Sequence, residues 1–319
     1  MAFVTLNEIL ADCQSEGADG RHPVDGRHPA DGRHPADGRH PWAVPAFDVI
    51  NMETVYAALG GAVAERAPVI LMVLPGHTPV SMWPGLVAMI RAEAERSDVP
   101  VCLHLDHAKE LEPIRAALDL DFSSVMIDGS TLPLADNIAL TRQAVEEAHA
   151  RGVSVEAELG HVGMGMGMGA EEPGDEADGR HPEDAGHLTR VDEAAQFVSE
   201  TQVDALAVSI GTIHGLYRGE PKLDFERLEA LRQVVPVPMV LHGGSGTPDE
   251  HIRRAVAGGI SKINIWTEVR LAYLRTLQEQ VAVPAERCPL HTALLVAQAS
   301  AQEVVQQKIR LLGAAGRVA

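Results

Sequence analysis

Residues 99–130 read VPVCLHLDHAKELEPIRAALDLDFSSVMIDGS, and this stretch decides the fold. Two apolar runs, 101–107 and 123–128, flank a longer amphipathic segment, and both runs end on polar residues. A short run rich in Val, Ile and Leu reads as a buried strand, and the segment between as the helix that carries the chain back to begin the next strand. The same rhythm extends outward in both directions. Further runs stand at 43–49, 69–74, 154–159, 205–210, 239–242 and 262–265, which makes eight. Between them, 53–66 places Val55, Ala58, Leu59 and Ala62 at helical spacing, and 137–151 does so with Ile138, Val145 and Ala148. Pro68, Pro100 and Pro238 introduce three of the runs, which suits a loop leading into a strand. Eight buried strands alternating with helices predict an α/β chain folded as one (β/α)8 TIM barrel. A doubly wound sheet would show fewer strands and a glycine-rich turn after the first, where this chain has Asp48-Val49-Ile50-Asn51. Residues 289–312 read as closing helices.

The chain has 319 residues, 45% of them hydrophobic, with 26 Lys and Arg against 45 Asp and Glu, a formal charge of −19. That apolar content is a globular protein's. The charge argues against a phosphate-backbone binder, and three Trp, three Tyr and five Phe leave few stacking platforms, so nucleic acid is excluded as a main partner. No apolar run approaches the roughly 20 residues of a membrane span. The start of the chain carries Asn7 and Glu8 with no basic lead-in, so a cytoplasmic protein without a membrane partner is expected. Cys13, Cys102 and Cys288 are odd in number and far apart, which argues against a disulfide framework.

One feature interrupts this domain, which otherwise spans 1–319. Asp-Gly-Arg-His-Pro recurs four times at a period of six between Asp19 and Pro41, and a fifth copy stands at 178–182. Histidines at that spacing raise the question of a metal site. Gly and Pro in every unit prevent helix and interrupt strand, so the segment 18–41 reads as an inserted, hydrated and flexible spacer. The repeats hold 5 of the 15 histidines and add one Asp and one Arg per copy, so the acidity belongs to the barrel.

In such barrels functional residues gather at the C-terminal ends of the strands. His107, His214 and His242 stand at three such ends, and three imidazoles with an open fourth position form the ligand set of a catalytic zinc. Singly, each could equally be a hydrogen-bonded structural histidine. His104 lies deeper and reads as structural or supporting, and His77, His149, His161, His187, His251 and His291 as surface or loop residues. Gly243-Gly244-Ser245-Gly246 after strand seven, with Asn264 to Thr267 after strand eight, matches the usual phosphate position of the barrel. Asp106 beside His107 is either a structural carboxylate or a general acid/base next to a Lewis acid.

The segments His104-Leu105-Asp106-His107, Met126-Ile127-Asp128-Gly129-Ser130, Glu156-Ala157-Glu158-Leu159-Gly160, Gly211-Thr212-Ile213-His214-Gly215-Leu216-Tyr217, Leu241-His242-Gly243-Gly244-Ser245 and Lys262-Ile263-Asn264 resemble those of the class II, zinc-dependent ketose-bisphosphate aldolases. The tagatose/fructose-bisphosphate branch is the most similar, and the likeness runs from Thr5 to Val318 apart from the repeat and residues 164–187. The resemblance implies that His107, His214 and His242 bind Zn2+ and that Asp106 exchanges the proton at the enediolate carbon and the 4-hydroxyl. It implies that Gly215, Gly243, Gly244, Ser245, Asn264, Ile265, Trp266 and Thr267 hold dihydroxyacetone phosphate, with Na+ or K+ assisting. Asp128 and Glu158 match positions that take a second divalent metal in some members, or else support the first. The expected reaction is cleavage of a sugar phosphate, fructose or tagatose 1,6-bisphosphate or a related ketose phosphate, by a homo-oligomer, a dimer or tetramer.

Three departures stand against that pattern. The mobile loop expected over 163–187 carries alternating Gly and Met and then Glu171 and Glu172, either of which would be the loop's acid or merely a solvated charge. Leu74-Pro75-Gly76 replaces a hydroxyl after strand two, and Trp266 a small or acidic residue after strand eight. The last two fall on the aldehyde half and predict an aldehyde that is less polar or unphosphorylated, unless Trp266 turns outward. Two rival readings are a non-catalytic or altered-specificity member of the scaffold and a barrel metallohydrolase. The latter would want a His-x-His pair on strand one, where Phe47-Asp48-Val49 offers none.

Overall fold

The computed structural model describes residues 3–15, 41–164, 188–217, 219 and 221–318. The inserted repeat up to His40, the loop from 165 to 187 and with it Glu171 and Glu172 lie outside the described residues. The chain begins with α1 (Leu6–Ser15), whose Leu6, Ile9 and Leu10 are buried. Just before it the Val4 N–H donates to the Val101 carbonyl at 3.0 Å, and the Asn7 N–H donates to Ser154 Oγ at 3.3 Å. Helix α1 therefore seals the end of the barrel at which the strands begin.

Strand β1 (Val44–Asp48) and helix α2 (Met52–Glu65) then open the alternation. It continues through β2 (Val69–Val73), α3 (Trp83–Ala94), β3 (Val101–Ala108), α4 (Leu111–Asp119), β4 (Ser124–Ile127), α5 (Leu134–His149) and β5 (Ser154–Leu159). After the undescribed loop come α6 (Val191–Thr201), β6 (Ala205–Val208), α7 (Phe225–Val234), β7 (Met239–Leu241), α8 (Asp249–Ala257) and β8 (Ile260–Ile265). The eight strands are all parallel and close in sequence order, β8 returning to β1 through Val44 opposite Lys262. This is the expected (β/α)8 barrel. Helices α9 (Thr267–Val281) and α10 (Leu290–Leu311) follow, and α10 packs between α2 and α9.

Local chemistry explains several boundaries. Asn51 and Thr54 cap α2 reciprocally, each side chain accepting from the other's backbone N–H, and Arg66 ends the helix at φ 50°. The register between β3 and β4 shifts between Leu105 and Ala108, and His107 stands inside that irregularity at φ 45°. A left-handed backbone costs a non-glycine residue about 1–2 kcal/mol. Bulges of this kind re-aim side chains beside functional sites.

The chain also forms a feature that strand periodicity could not announce. Gly163–Met164, the first two residues after the β5 turn, pair in parallel with Ile213–His214 above the barrel mouth. The sixth apolar run stops being strand at Val208, so His214 is held by this two-residue ribbon and not by the end of β6. Trp266 does not turn outward: it is 8% exposed and faces the mouth.

Candidate metal centre and catalytic cavity

The C-terminal ends of the strands enclose a cavity of about 500 Å³. His107, His214 and His242 converge at it, with ring centroids 5.0 Å apart for His107 and His214, 4.6 Å for His107 and His242, and 5.8 Å for His214 and His242. One ligand atom from each lies within 4.8 Å of the other two. His107 Nδ1 donates to Asp128 Oδ2 at 2.9 Å, and His242 Nε2 donates to Glu156 Oε1 at 2.9 Å. Each ring is thereby fixed by one nitrogen. The other nitrogen, Nε2 of His107 and Nδ1 of His242, is buried without a hydrogen-bond partner among the described residues.

Buried polar atoms are nearly always satisfied, so two imidazole nitrogens left open side by side fit a divalent metal. Glu158 Oε2 is similarly unsatisfied, and it lies 3.1 Å from His242 Nδ1 without the alignment of a hydrogen bond. His107, Asp128 and Glu158 form a second group with ligand atoms in reach of one another. Within it the two carboxylates differ. Asp128 Oδ1 accepts from the Ser130 N–H at 3.1 Å and from Ser130 Oγ at 2.6 Å, while its Oδ2 holds His107, so its acceptors are committed. Glu158 spends only Oε1, on the Val162 N–H at 3.1 Å.

Electrostatics follow from this crowding. Burial disfavours charge on His107, but Asp106, the Asp128 bond and Glu158 outweigh it and raise its pKa to about 10. Burial, then the His107 charge, pushes His214 well down. Burial raises Asp128, and the His107 and Ser130 bonds overcome it, leaving it well below the usual carboxylate range.

Beneath the histidines lies a layer whose pairing the sequence did not disclose. Lys262, fully buried on β8, donates to Glu156 Oε2 at 2.7 Å, and Glu156 is the residue that holds His242. His104 shares a 2.8 Å hydrogen bond with Ser124 Oγ, and its Nε2 lies 3.8 Å from Glu156 and 3.9 Å from Asp106. Burial drives the His104 pKa down to about 3, so the ring is neutral. Glu156 inside the run 154–159 and Lys262 at the head of the run 262–265 were the available signal, since opposite charges sealed in one barrel interior must pair.

Asp106 lies on the cavity wall, 4% exposed, and its Oδ1 accepts from Asn264 Nδ2 at 3.1 Å. Burial pushes its pKa up, and His107, His242 and Lys262 outweigh that, so the group is an anion. Asn264 keeps its Oδ1 buried and without a hydrogen-bond partner, facing the same space. Of the residues expected around the phosphate, Gly215, Gly243, Ser245, Asn264, Trp266 and Thr267 line the cavity. Gly244 and Ile265 do not. The Gly244 N–H donates to the Asn264 carbonyl at 3.1 Å, tying the turn after β7 to the turn after β8, and Ile265 is buried in the core. Gly243 must be glycine, because at φ 69° any Cβ would run into the Ile213 backbone. Tyr217 braces the same turn, its hydroxyl accepting from the Ile213 N–H at 3.2 Å.

His77 and His161, read as surface or loop residues, both stand on loops and line the cavity. His77 packs on Trp266 with centroids 5.4 Å apart, and His161 Nδ1 lies 3.1 Å from Ser130 Oγ. Asp48, Lys109 and Arg270 line it too, and motif reading had singled out none of them.

Comparison with known proteins agrees with the fold. The family profile "Fructose-bisphosphate aldolase class-II" matches residues 37–317. The chain is similar to the crystal structure of the YdjI aldolase from Escherichia coli K12, at 29% identity and TM-score 0.78, over 99% of this chain and 100% of that one. It is similar to a putative fructose-1,6-biphosphate aldolase from Coccidioides immitis at 28% identity and TM-score 0.77, over 88% and 94%. A fructose-bisphosphate aldolase from Campylobacter jejuni shares the fold at 21% identity and TM-score 0.74, over 98% and 96%.

Proposed function

The chain belongs to the class II fructose-bisphosphate aldolase family, and from that premise we propose that it is a zinc-dependent aldolase cleaving a phosphorylated ketose to dihydroxyacetone phosphate and an aldehyde. The substrate is fructose or tagatose 1,6-bisphosphate or a related ketose phosphate. The observation that carries the zinc reading is the pair of open imidazole nitrogens on His107 and His242 beside His214. Zinc held there would supply a Lewis acid for the C2 carbonyl oxygen.

The chain's own residues account for the rest. The turn of Gly243 and Ser245, with Gly215 and Thr267 at the start of α9, holds the C1 phosphate through backbone N–H groups and hydroxyls. Asn264 orients Asp106 and offers Oδ1 to a substrate hydroxyl. Asp106 takes the 4-hydroxyl proton as the C3–C4 bond breaks. The aldehyde departs, the bonding electrons pass into the C2–C3 enediolate, and C3 then accepts a proton to give dihydroxyacetone phosphate.

Asp128 fits the support of His107, and Glu158 the more open metal-facing role, including a second divalent ion. A loop acid at Glu171 or Glu172, Na+ or K+ beside the phosphate, a dimer or tetramer and a cytoplasmic location complete the proposal. Among the described residues no helix is long and apolar enough to cross a membrane, and Cys13, Cys102 and Cys288 form no disulfide.

The test is coupled detection of dihydroxyacetone phosphate from a panel of ketose phosphates, with the enzyme stripped by chelator and reloaded with zinc. Release that depends on zinc supports the proposal. A pure, zinc-loaded protein that releases none from any ketose phosphate overturns it in favour of a non-catalytic scaffold.

A further inference from the structure

Lys262 and Lys308 are the two buried lysines among the described residues. Lys262 pairs with Glu156 inside the barrel, in the layer that steadies His242. Lys308 stands in the outer helical layer, in the last turn of α10 and 8% exposed. Its Nζ lies 2.5 Å from Glu268 Oε2, an oxygen sealed from water. Docking of α10 does not call for a charge at that position. Ala297, Ala301, Val305 and Ile309 bury an apolar stripe, Arg310 pairs with Glu65 of α2, and the Leu312 carbonyl accepts from the Ala43 N–H at 3.0 Å. A methionine would fill much the same volume without taking an ammonium out of water. What singles out Lys308 is its partner.

Glu268 belongs to the first turn of α9, and its N–H donates to Ser245 Oγ at 3.3 Å. Ser245 and Thr267 line the cavity where the C1 phosphate is placed above, and neither Glu268 nor Lys308 does. By accepting from Glu268, Ser245 Oγ keeps its own proton for an incoming anion. The same contact sets a carboxylate at the positive end of α9, where it competes with the phosphate for the helix dipole and repels it. The turn thus gains its geometry from the Glu268 backbone and is opposed by the Glu268 charge.

We propose that Lys308 is a positioning residue that cancels this charge from behind the site, so that the C-terminal helix sets the affinity of the turns after β7 and β8 for the substrate's phosphate. This rests on the aldolase reading above and deepens it. Arg270 and Lys109 also line the cavity and add positive charge. They remain in every variant below, so the comparison isolates the Lys308–Glu268 pair.

The experiment measures binding of dihydroxyacetone phosphate to the zinc-loaded full chain by calorimetry, with KM, kcat and zinc content alongside. Lys308→Met leaves Glu268 uncompensated and is expected to weaken binding on the order of tenfold. Glu268→Gln leaves the ammonium near the turn and is expected to bind at least as tightly as wild type. The double variant should return to near wild-type affinity, and KM should follow the same order while kcat and zinc content change little. A purely structural ion pair behaves otherwise, since breaking it from either side loosens the turn alike. Unchanged affinity in Lys308→Met, weaker binding in Glu268→Gln, or a double variant that does not recover each overturns the proposal. Should Lys308→Met fail to fold, Glu268→Gln decides alone. Wild type that binds no dihydroxyacetone phosphate would strike the aldolase reading itself, a result distinct from these.

Discussion

Under the three histidines, Glu156 holds both Lys262 and His242, and Asp128 holds both Ser130 and His107. Across the mouth, Asp48 Oδ1 has no hydrogen-bond partner among the described residues, and the cavity wall on that side includes Ile50, Leu74, Pro75, Arg270 and the His77–Trp266 stack. The first region is built to keep side chains still, and its open atoms are the few that could ligate a metal. The second leaves a buried oxygen open among mostly apolar and aromatic walls. A barrel whose strands are equivalent in topology has thus divided its mouth by side-chain pairing alone.

Substitutions can break that division, and the largest effects belong to the first region. His107→Ala removes a ligand and should abolish both zinc binding, read by metal analysis, and turnover. A variant retaining full zinc and activity contradicts the site. Asp106→Asn should leave zinc content intact and lower kcat by about 10²–10⁴-fold, the range of a lost proton-transfer group. Glu156→Gln strips Lys262 of its counter-ion and loosens His242. A loss of about 3–5 kcal/mol in unfolding free energy is expected, along with zinc affinity weakened by about 10–100-fold in chelator competition. Unchanged zinc affinity would reduce Glu156 to a structural role.

Effects in the second region should be smaller and selective. Trp266→Ala should shift the ranking of ketose phosphates more than it lowers dihydroxyacetone phosphate exchange, and equal effects on both would blur the boundary drawn here. Deletion of residues 18–41 should do least. The described chain on either side, α1 and the start of β1, lies at the opposite end of the barrel from the cavity, so zinc content and turnover should stay near wild type.

Much of this was legible in the sequence because the relevant signals are local. Eight apolar runs became eight strands with boundaries moved by a few residues, and polar residues after those runs became the mouth. His107, His214 and His242 converge as expected, although His214 reaches the centre from a two-residue ribbon that no periodicity can reveal. What stayed hidden depends on closure of the barrel. Lys262 meets Glu156 across 106 positions of chain, and His77 meets Trp266 only because β2 and β8 both flank β1. Asp48 was missed for a related reason. It matched no motif, and an unsatisfied buried oxygen becomes visible only when every neighbour is in place. Gly244 and Ile265 show the converse, since both sit in the expected motifs while the N–H of one and the side chain of the other are spent on the barrel.

The central claim is that three histidines hold a metal on which aldol cleavage depends. It is tested most directly by titrating metal-free protein with zinc while following dihydroxyacetone phosphate release from a ketose phosphate. The account predicts that activity rises in proportion to zinc bound by the His107, His214 and His242 centre, and that His242→Ala abolishes the response. Release at full rate from metal-free protein, or a response that survives in His242→Ala, would contradict it.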